Sequence, residues 1–292
     1  MHETFSAAHS PYCPEVKKIA KSGNFDLIIT SEVFSLNSLK LALCTPKNLI
    51  VWQELGKHNR IFHGLASKFW YGIVAKIGFK KALIVARSVQ AREFISKYCK
   101  NVSDTIIDHG VNIEKFTPCR EKDNQFAISS QLISRKHIEK SIEAFAKYLN
   151  KYDDSAKLYI MGEGEEEENL KALSKKLGAD KNIIFTGKLG HNKLIEILKK
   201  SIAMLVYTEK DNNMVSVVES IALATPVITT DIPYNASYIK AEKLGIVNNN
   251  WNENDLRKLA ASDEYINNCI NYRKYLPTEY KAEQFLKVKG LI

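Results

Sequence analysis

No stretch of this 292-residue chain stays apolar for the length of a membrane-spanning helix. The strongest runs, KALIVA (81–86) and SIAMLVY (201–207), are the size of buried strands. The opening MHETFSAAHSPYCPEV is polar and lacks the apolar core of a secretion signal. Cysteines are few: Cys13, Cys44, Cys99, Cys119 and Cys269 are odd in number, far apart and form no C-x-x-C pair. That argues for reduced thiols in a cytoplasm, and against a disulfide framework or a structural zinc. No G-x-G-x-x-G follows the first strand, which speaks against a Rossmann-type oxidoreductase. No D-x-D stands at a strand end, so no catalytic divalent metal is implied. There is no internal repeat, and the only biased tract is the acidic run Glu165–Glu168.

What is present is enough chain for two domains, each with its own core, and the composition of a soluble globular protein. Two sets of alternating strands and helices are legible. The first runs FDLIIT (25–30), a helix near 35–43, NLIVW (48–52), a helix at 63–79, KALIVA, a helix from Ser88 to Cys99, and DTIIDHG (104–110). The second runs QFAISSQ (125–131), a helix at 138–150, KLYIMGEG (157–164), a helix at 165–177, NIIFTG (182–187) and a helix at 191–200. It closes on a strand (Ile202–Tyr207), a polar turn (Thr208–Asn213), a helix (Met214–Ala224), Pro226 and a strand (Val227–Thr230). Such alternation predicts an α/β chain with doubly wound parallel sheets.

Charge is unevenly placed. Residues 57–100 hold ten Lys or Arg against Glu93 alone, a net +9, while the rest of the chain has 32 of each sign. Within that block Leu65, Phe69, Trp70, Ile73, Val74 and Ile77 share one helical face, surrounded by Lys68, Lys76, Lys80 and Lys81. Such a helix either lies in an anionic membrane interface or packs on its own sheet with a solvated basic rim. No recognisable nucleic-acid motif accompanies the charge, so a nucleic-acid partner is not expected.

In the unit at 202–230, Asp211 lies in the loop and Glu219 follows eight residues later on the helix. Taken alone they could be a solvated acidic turn and a helix-surface glutamate. Their spacing across a strand-loop-helix boundary, just before A-T-P-V-I-T, resembles the E-x7-E region of retaining glycosyltransferases of the GT-B fold. These are the glycosyl transferases group 1, family 4-like, of polysaccharide-biosynthesis type. HGVNIEKFTP (109–118) is similar to the stretch that joins the two halves of those enzymes. The resemblance covers most of residues 25–260 and implies two Rossmann-like doubly wound domains. Residues 1–118 would be the acceptor-side domain and 119–261 the donor-binding domain, with the tail 262–292 packing back on the first. The family's opening strand, Gly-rich loop and helix have no counterpart, so the N-terminal domain is expected to be incomplete.

Carried over residue by residue, the resemblance places Asp211 at the sugar hydroxyls and Glu219 at the ribose. A helix start at Asn213, Met214, Val215 and Ser216 offers free N–H groups to an anionic donor. In SSQLISRKHIEKSIEAF (129–145), Lys136 matches the lysine that clamps the diphosphate; Ser130 replaces the family's glycine and Gln131 its arginine. Arg135 can supply the missing charge, since cations beside a helix start suit a diphosphate leaving group. Gly162 and Gly164 resemble the family's G-x-G strand end, although a plain turn explains them equally well. Gly187, Lys188 and Leu189 occupy the stretch beside the nucleotide base. Glu54 and His58 would meet the reacting sugar, the plainer readings being a turn carboxylate and a solvated histidine.

The activity implied is retaining transfer from a UDP- or GDP-sugar to a saccharide or lipid-linked acceptor of surface-polysaccharide assembly. It would need no cofactor and no metal, in the cytoplasm, with residues 57–100 available to an anionic membrane surface. A non-catalytic nucleotide-sugar or glycan-binding remnant is the alternative, favoured by the missing unit and by Gln131.

Overall fold

The computed structural model describes residues 6–7, 10–58 and 64–292. Residues 1–5 and 8–9 of the polar N-terminal segment, and His63 at the expected helix start, lie outside them. The chain divides into two compact units. One comprises the described residues up to Asp108 together with Lys281–Ile292, and the other is His109–Tyr280. The division falls at His109 rather than after Pro118, so the HGVNIEKFTP stretch belongs to the second unit, as do residues 262–280 of the tail.

The first unit opens with a short antiparallel ladder of β1 (Ser6–Ala7) and β2 (Ser10–Pro11). Then come α1 (Val16–Ser22), β3 (Ile28–Ser31), α2 (Leu36–Cys44) and β4 (Leu49–Gln53). A continuous helix follows as α3 (Leu65–Phe69), a π turn (Trp70–Ala75) and α4 (Lys76–Gly78), leading to β5 (Leu83–Ala86) and α5 (Val89–Ser96). The sheet is parallel in the order β3-β4-β5, with Ile28 opposite Leu49 and Ile50 opposite Leu83. Leu49, Val51 and Ile84 pack with Tyr71, Ala75 and Phe79 on one face, while Ile50 and Val85 meet Ile107 and Phe285 on the other. A parallel sheet covered on both faces needs apolar side chains at successive positions, and LIVW and LIVA supply them.

DTIIDHG does not form the expected strand. Residues 104–110 are irregular: the approach to β5 is a single bridge just before them, where Ile84 N donates to Asn101 O and Ser103 N to Ile84 O, and within them Ile107 N donates to Ala86 O. Thr105 is exposed between those two points, so no ladder can propagate.

The second unit contains β6 (Gln125–Ser129), α6 (Ile138–Lys151), β7 (Lys157–Met161), α7 (Glu167–Lys176), β8 (Ile183–Gly187), α8 (His191–Lys200) and β9 (Ala203–Leu205). It continues with α9 (Val215–Ala222), β10 (Val227–Thr229), α10 (Ala236–Ala241), β11 (Gly245–Val247), α11 (Glu253–Ala260) and α12 (Glu264–Tyr272). The final helix, α13 (Thr278–Lys289), ends in the first unit, where Phe285 meets the edge of Trp52 and Lys281 pairs with Asp108. All six strands of the second unit are parallel, in the order β11-β10-β9-β6-β7-β8. The chain therefore builds outward from β6 through β7 to β8, then returns to add β9, β10 and β11 on the other side. That reversal, a doubly wound topology, opens a crevice at the carboxyl ends of β6 and β9. No helix among the described residues is long and apolar enough to cross a membrane.

Candidate active site

Because β6 and β9 are neighbours, the loops leaving their carboxyl ends meet although they lie 75 residues apart in sequence. After β6 the chain makes a 3-10 turn (Ser134–Lys136) and enters α6 through His137, whose φ of 42° is left-handed. Lys136 Nζ donates to Asp211 Oδ2 at 2.7 Å, and Thr208 Oγ1 donates to the same oxygen at 2.7 Å. Arg135 Nη1 donates to the Lys210 carbonyl at 2.6 Å and lies 3.5 Å from Asp211 Oδ1. Lys136 and Asp211 are only 11% and 15% exposed, whereas Arg135 is 41% exposed. Two cations and one carboxylate leave a net +1, suited to an anion that can also use the carboxylate's free lone pairs. His137 adds a brace, its Nδ1 at 2.8 Å from Glu139 and its Nε2 at 2.8 Å from Glu209. Hydrogen bonding to Glu139, then Glu209, raises its pKa above 6.5 despite partial burial.

Around this pair, Ser129, Ser130, Lys136, Tyr207 and Met214 line a small recess. It adjoins, through Ser129 and Ser130, an open cleft of about 300 Å³ bounded by Gln131, Met161, Gly162, Glu163, Lys188, Leu189 and Leu194. The cleft floor needs glycine. Gly162 has φ +151°, and a Cβ there would stand 1.8 Å from the Ser130 carbonyl oxygen. Gly164 lies against the Leu132 carbonyl, and Gly187, at φ +64°, accepts from Gly162 N at 3.0 Å. Ser130, Gln131, Gly162, Lys188 and Leu189 thus share one cleft; Lys136 and Met214 share the adjoining recess.

Glu219 sits on α9, where His191 Nε2 donates to its Oε1 at 3.0 Å, and Phe116 packs edge-on to the His191 ring. Asn213 precedes Met214, the N-cap of α9, and Val215 and Ser216 form its first turn. The Met214 N–H is held at 2.5 Å by Oδ1 of fully buried Asn235, whose Nδ2 donates to the Tyr238 hydroxyl at 2.7 Å.

Glu54 and His58 lie in the first unit and are not part of this cluster. Glu54 directly follows β4 and pairs with Arg87 at 2.8 Å, while Arg87 also stacks 3.7 Å above the Trp52 ring. The backbone N–H of Glu54 donates to Glu32 Oε1 at 2.8 Å. Burial raises the Glu32 pKa above its usual range, against the pull of the Glu54 and Leu55 amides. His58 is ringed by Tyr71, Phe94 and Tyr98, with Nδ1 at 3.0 Å from Ser67 Oγ and Nε2 at 3.0 Å from the Tyr98 hydroxyl. Desolvation lowers its pKa, helped by Lys68 and Lys97.

Thr208, His191 and Asn235 were not singled out from sequence. Thr208 carried a local signal, a hydroxyl three residues before Asp211 that can close a turn onto the carboxylate. His191 and Asn235 carried none, because they reach their partners across 28 and 21 residues. Among the described residues no three His, Cys, Asp or Glu side chains gather as a metal cage.

The glycosyl transferases group 1 profile matches residues 112–274, more than half of the chain. The chain belongs to that family. Alpha-monoglucosyldiacylglycerol synthase of Streptococcus pneumoniae is 24% identical over 302 residues, covering 92% of this chain and 66% of that protein. Among solved structures, Anabaena HepE in complex with UDP superposes with a TM-score of 0.72 at 13% identity, covering 96% of this chain and 82% of that one. An S. aureus TarM mutant solved with Fondaparinux, alpha-GlcNAc-glycerol and UDP gives 0.66 at 18% identity, covering 94% and 58%. At such identities the structural likeness shows the fold alone, and that fold is GT-B. This glycosyl transferase chain spans just under two thirds of the pneumococcal relative's length and less of TarM's.

Proposed function

We propose that this group 1 glycosyltransferase moves a sugar, with retention, from a UDP- or GDP-sugar to a saccharide or lipid-linked acceptor in cytoplasmic steps of surface-polysaccharide assembly. The observation that carries the reading is the joining of Lys136, Arg135 and Asp211 at the switch point between β6 and β9. In this reading the diphosphate lies at Lys136 and Arg135, whose charge stabilises the leaving group as it departs, without a bound metal ion. Asp211 accepts from sugar hydroxyls, Glu219 from the ribose, and the base enters the cleft beside Lys188 and Leu189. The acceptor hydroxyl attacks from the face that the diphosphate leaves, so no protein nucleophile is required. The names of the relatives support the same chemistry: two of the solved structures hold UDP, and the pneumococcal relative is named for a glucosylated diacylglycerol.

Calorimetric titration of the full chain with UDP and GDP tests the donor site. One nucleotide is expected to bind, at least about tenfold more weakly in Glu219→Ala, the loss of a charge-assisted hydrogen bond pair. Lys136→Met is expected to lower transfer from the matching sugar nucleotide by about a hundredfold or more. Equal nucleotide affinity in Glu219→Ala together with near-wild-type turnover in Lys136→Met would refute the assignment.

A further inference from the structure

The helix that joins β4 to β5 has two apolar faces, and the described residues bury only one of them. Ser67, Tyr71, Ala75 and Phe79, four residues apart, are buried and pack toward the sheet with Phe94 and Cys99. Trp70 and Val74 are half-buried; the Trp70 indole N–H donates to Val33 O at 2.9 Å. Leu65, Phe69, Ile73 and Ile77, also four apart, are 67%, 61%, 51% and 71% exposed. These four belong to the apolar face legible in sequence, which turns out to point into solvent. Lys68, Lys76, Lys80 and Lys81 are exposed beside this row, none forms an ion pair among the described residues, and no acid lies between Gly64 and Ala82.

We propose that this row docks the protein on an anionic lipid surface, the four apolar side chains entering the acyl boundary and the lysines resting among the headgroups. The charge pattern selects this occupant. A second copy of the chain placed face to face would set lysines against lysines with no acid to pair them, an arrangement that repels. A nucleic acid would match the lysines but leave the apolar row unused. A lipid surface with anionic headgroups satisfies both components. The inference stands apart from the donor-site reading, since every residue it uses lies in the first unit and its test reads no transfer activity.

The test is flotation of the full chain with phosphatidylcholine vesicles, alone or mixed with phosphatidylglycerol. Binding is expected only with the anionic lipid, weakened at least about tenfold by Phe69→Ser with Ile73→Ser. Replacing Lys68, Lys76, Lys80 and Lys81 together by Gln is expected to weaken it about a hundredfold. Because these side chains face solvent, thermal midpoints should match the wild type, and Leu65→Ser with Ile77→Ser is a second pair if the first fails to fold. Three outcomes would overturn the proposal: no flotation with anionic vesicles, flotation unaffected by the serine and glutamine variants, or a dimer abolished by Phe69→Ser without vesicle binding.

Discussion

Gly162→Ala tests the architecture of the cleft most directly. The new Cβ would lie 1.8 Å from the Ser130 carbonyl oxygen and 2.9 Å from its carbon, both backbone atoms. Since real Cβ contacts essentially never fall under 3.0 Å, the strands must part by at least 1.2 Å (3.0 − 1.8). Neither is free to do so: Ser130 N donates to Met161 O at 3.1 Å, and Gly162 N to Gly187 O at 3.0 Å. Losing both bonds costs about 2 kcal/mol, and the φ of +151° adds about 2 kcal/mol of strain for a residue with a side chain. The sum, about 4 kcal/mol, corresponds to a fall of roughly 8–16 °C in melting temperature for a unit of this size. Two neighbours serve as controls. At Gly187, with φ +64° and nothing within 4 Å of a built Cβ, alanine costs only about 1–2 kcal/mol of left-handed strain. At Gly190, with φ −65° and equally open space, alanine should be neutral or slightly stabilising. The three variants are compared by circular-dichroism melting and by nucleotide titration. Should Gly162→Ala melt and bind like Gly190→Ala, the close approach of Gly162 to the Ser130 carbonyl is wrong, and with it the cleft floor.

Asp211→Asn takes the cluster from a net +1 to +2, so UDP or GDP is expected to bind roughly fivefold more tightly while turnover falls, as the sugar exchanges a charged carboxylate acceptor for a neutral amide. Unchanged or weaker nucleotide affinity would show that the diphosphate does not sit beside Lys136. The two histidines should titrate on opposite sides of 6.5 when followed by proton NMR of their ring carbons. His137, raised by Glu139 and Glu209, contributes stability below 6.5 that is lost as pH rises through its folded value. His58, lowered by burial and by Lys68 and Lys97, contributes above 6.5 and loses it as pH falls through its folded value. Both titrating on the same side would contradict either the carboxylate bonds of His137 or the burial of His58.

The parallel sheets were legible because both of their faces are covered, which demands short apolar runs, and QFAIS, KLYIM and SIAML meet that demand at the observed strands. DTIIDHG carries the same local signal and fails. One buried side chain, Ile107, and one bond to β5, from Ile107 N to Ala86 O, satisfy it without a ladder, a difference set by what the neighbouring strand leaves open. The 63–79 helix shows a second limit. Periodicity finds an apolar face, but two faces of period four leave open which of them the sheet will cover. The buried row is the one with small and aromatic members, Ser67, Ala75, Tyr71 and Phe79, which let the helix approach the sheet closely. The site shows a third. Sequence assigns Lys136 and Asp211 to separate parts of a donor, one to phosphate and one to sugar, and spacing cannot reveal that they touch. Their 2.7 Å bond follows from the order β9-β6, which no local pattern encodes. It also changes the chemistry: Lys136 is already paired, so an incoming diphosphate competes with Asp211 for the same ammonium. Arg135, more exposed and bound mainly to a carbonyl, is then the cation freest to turn toward the anion, in a chain whose usual arginine position is the neutral Gln131.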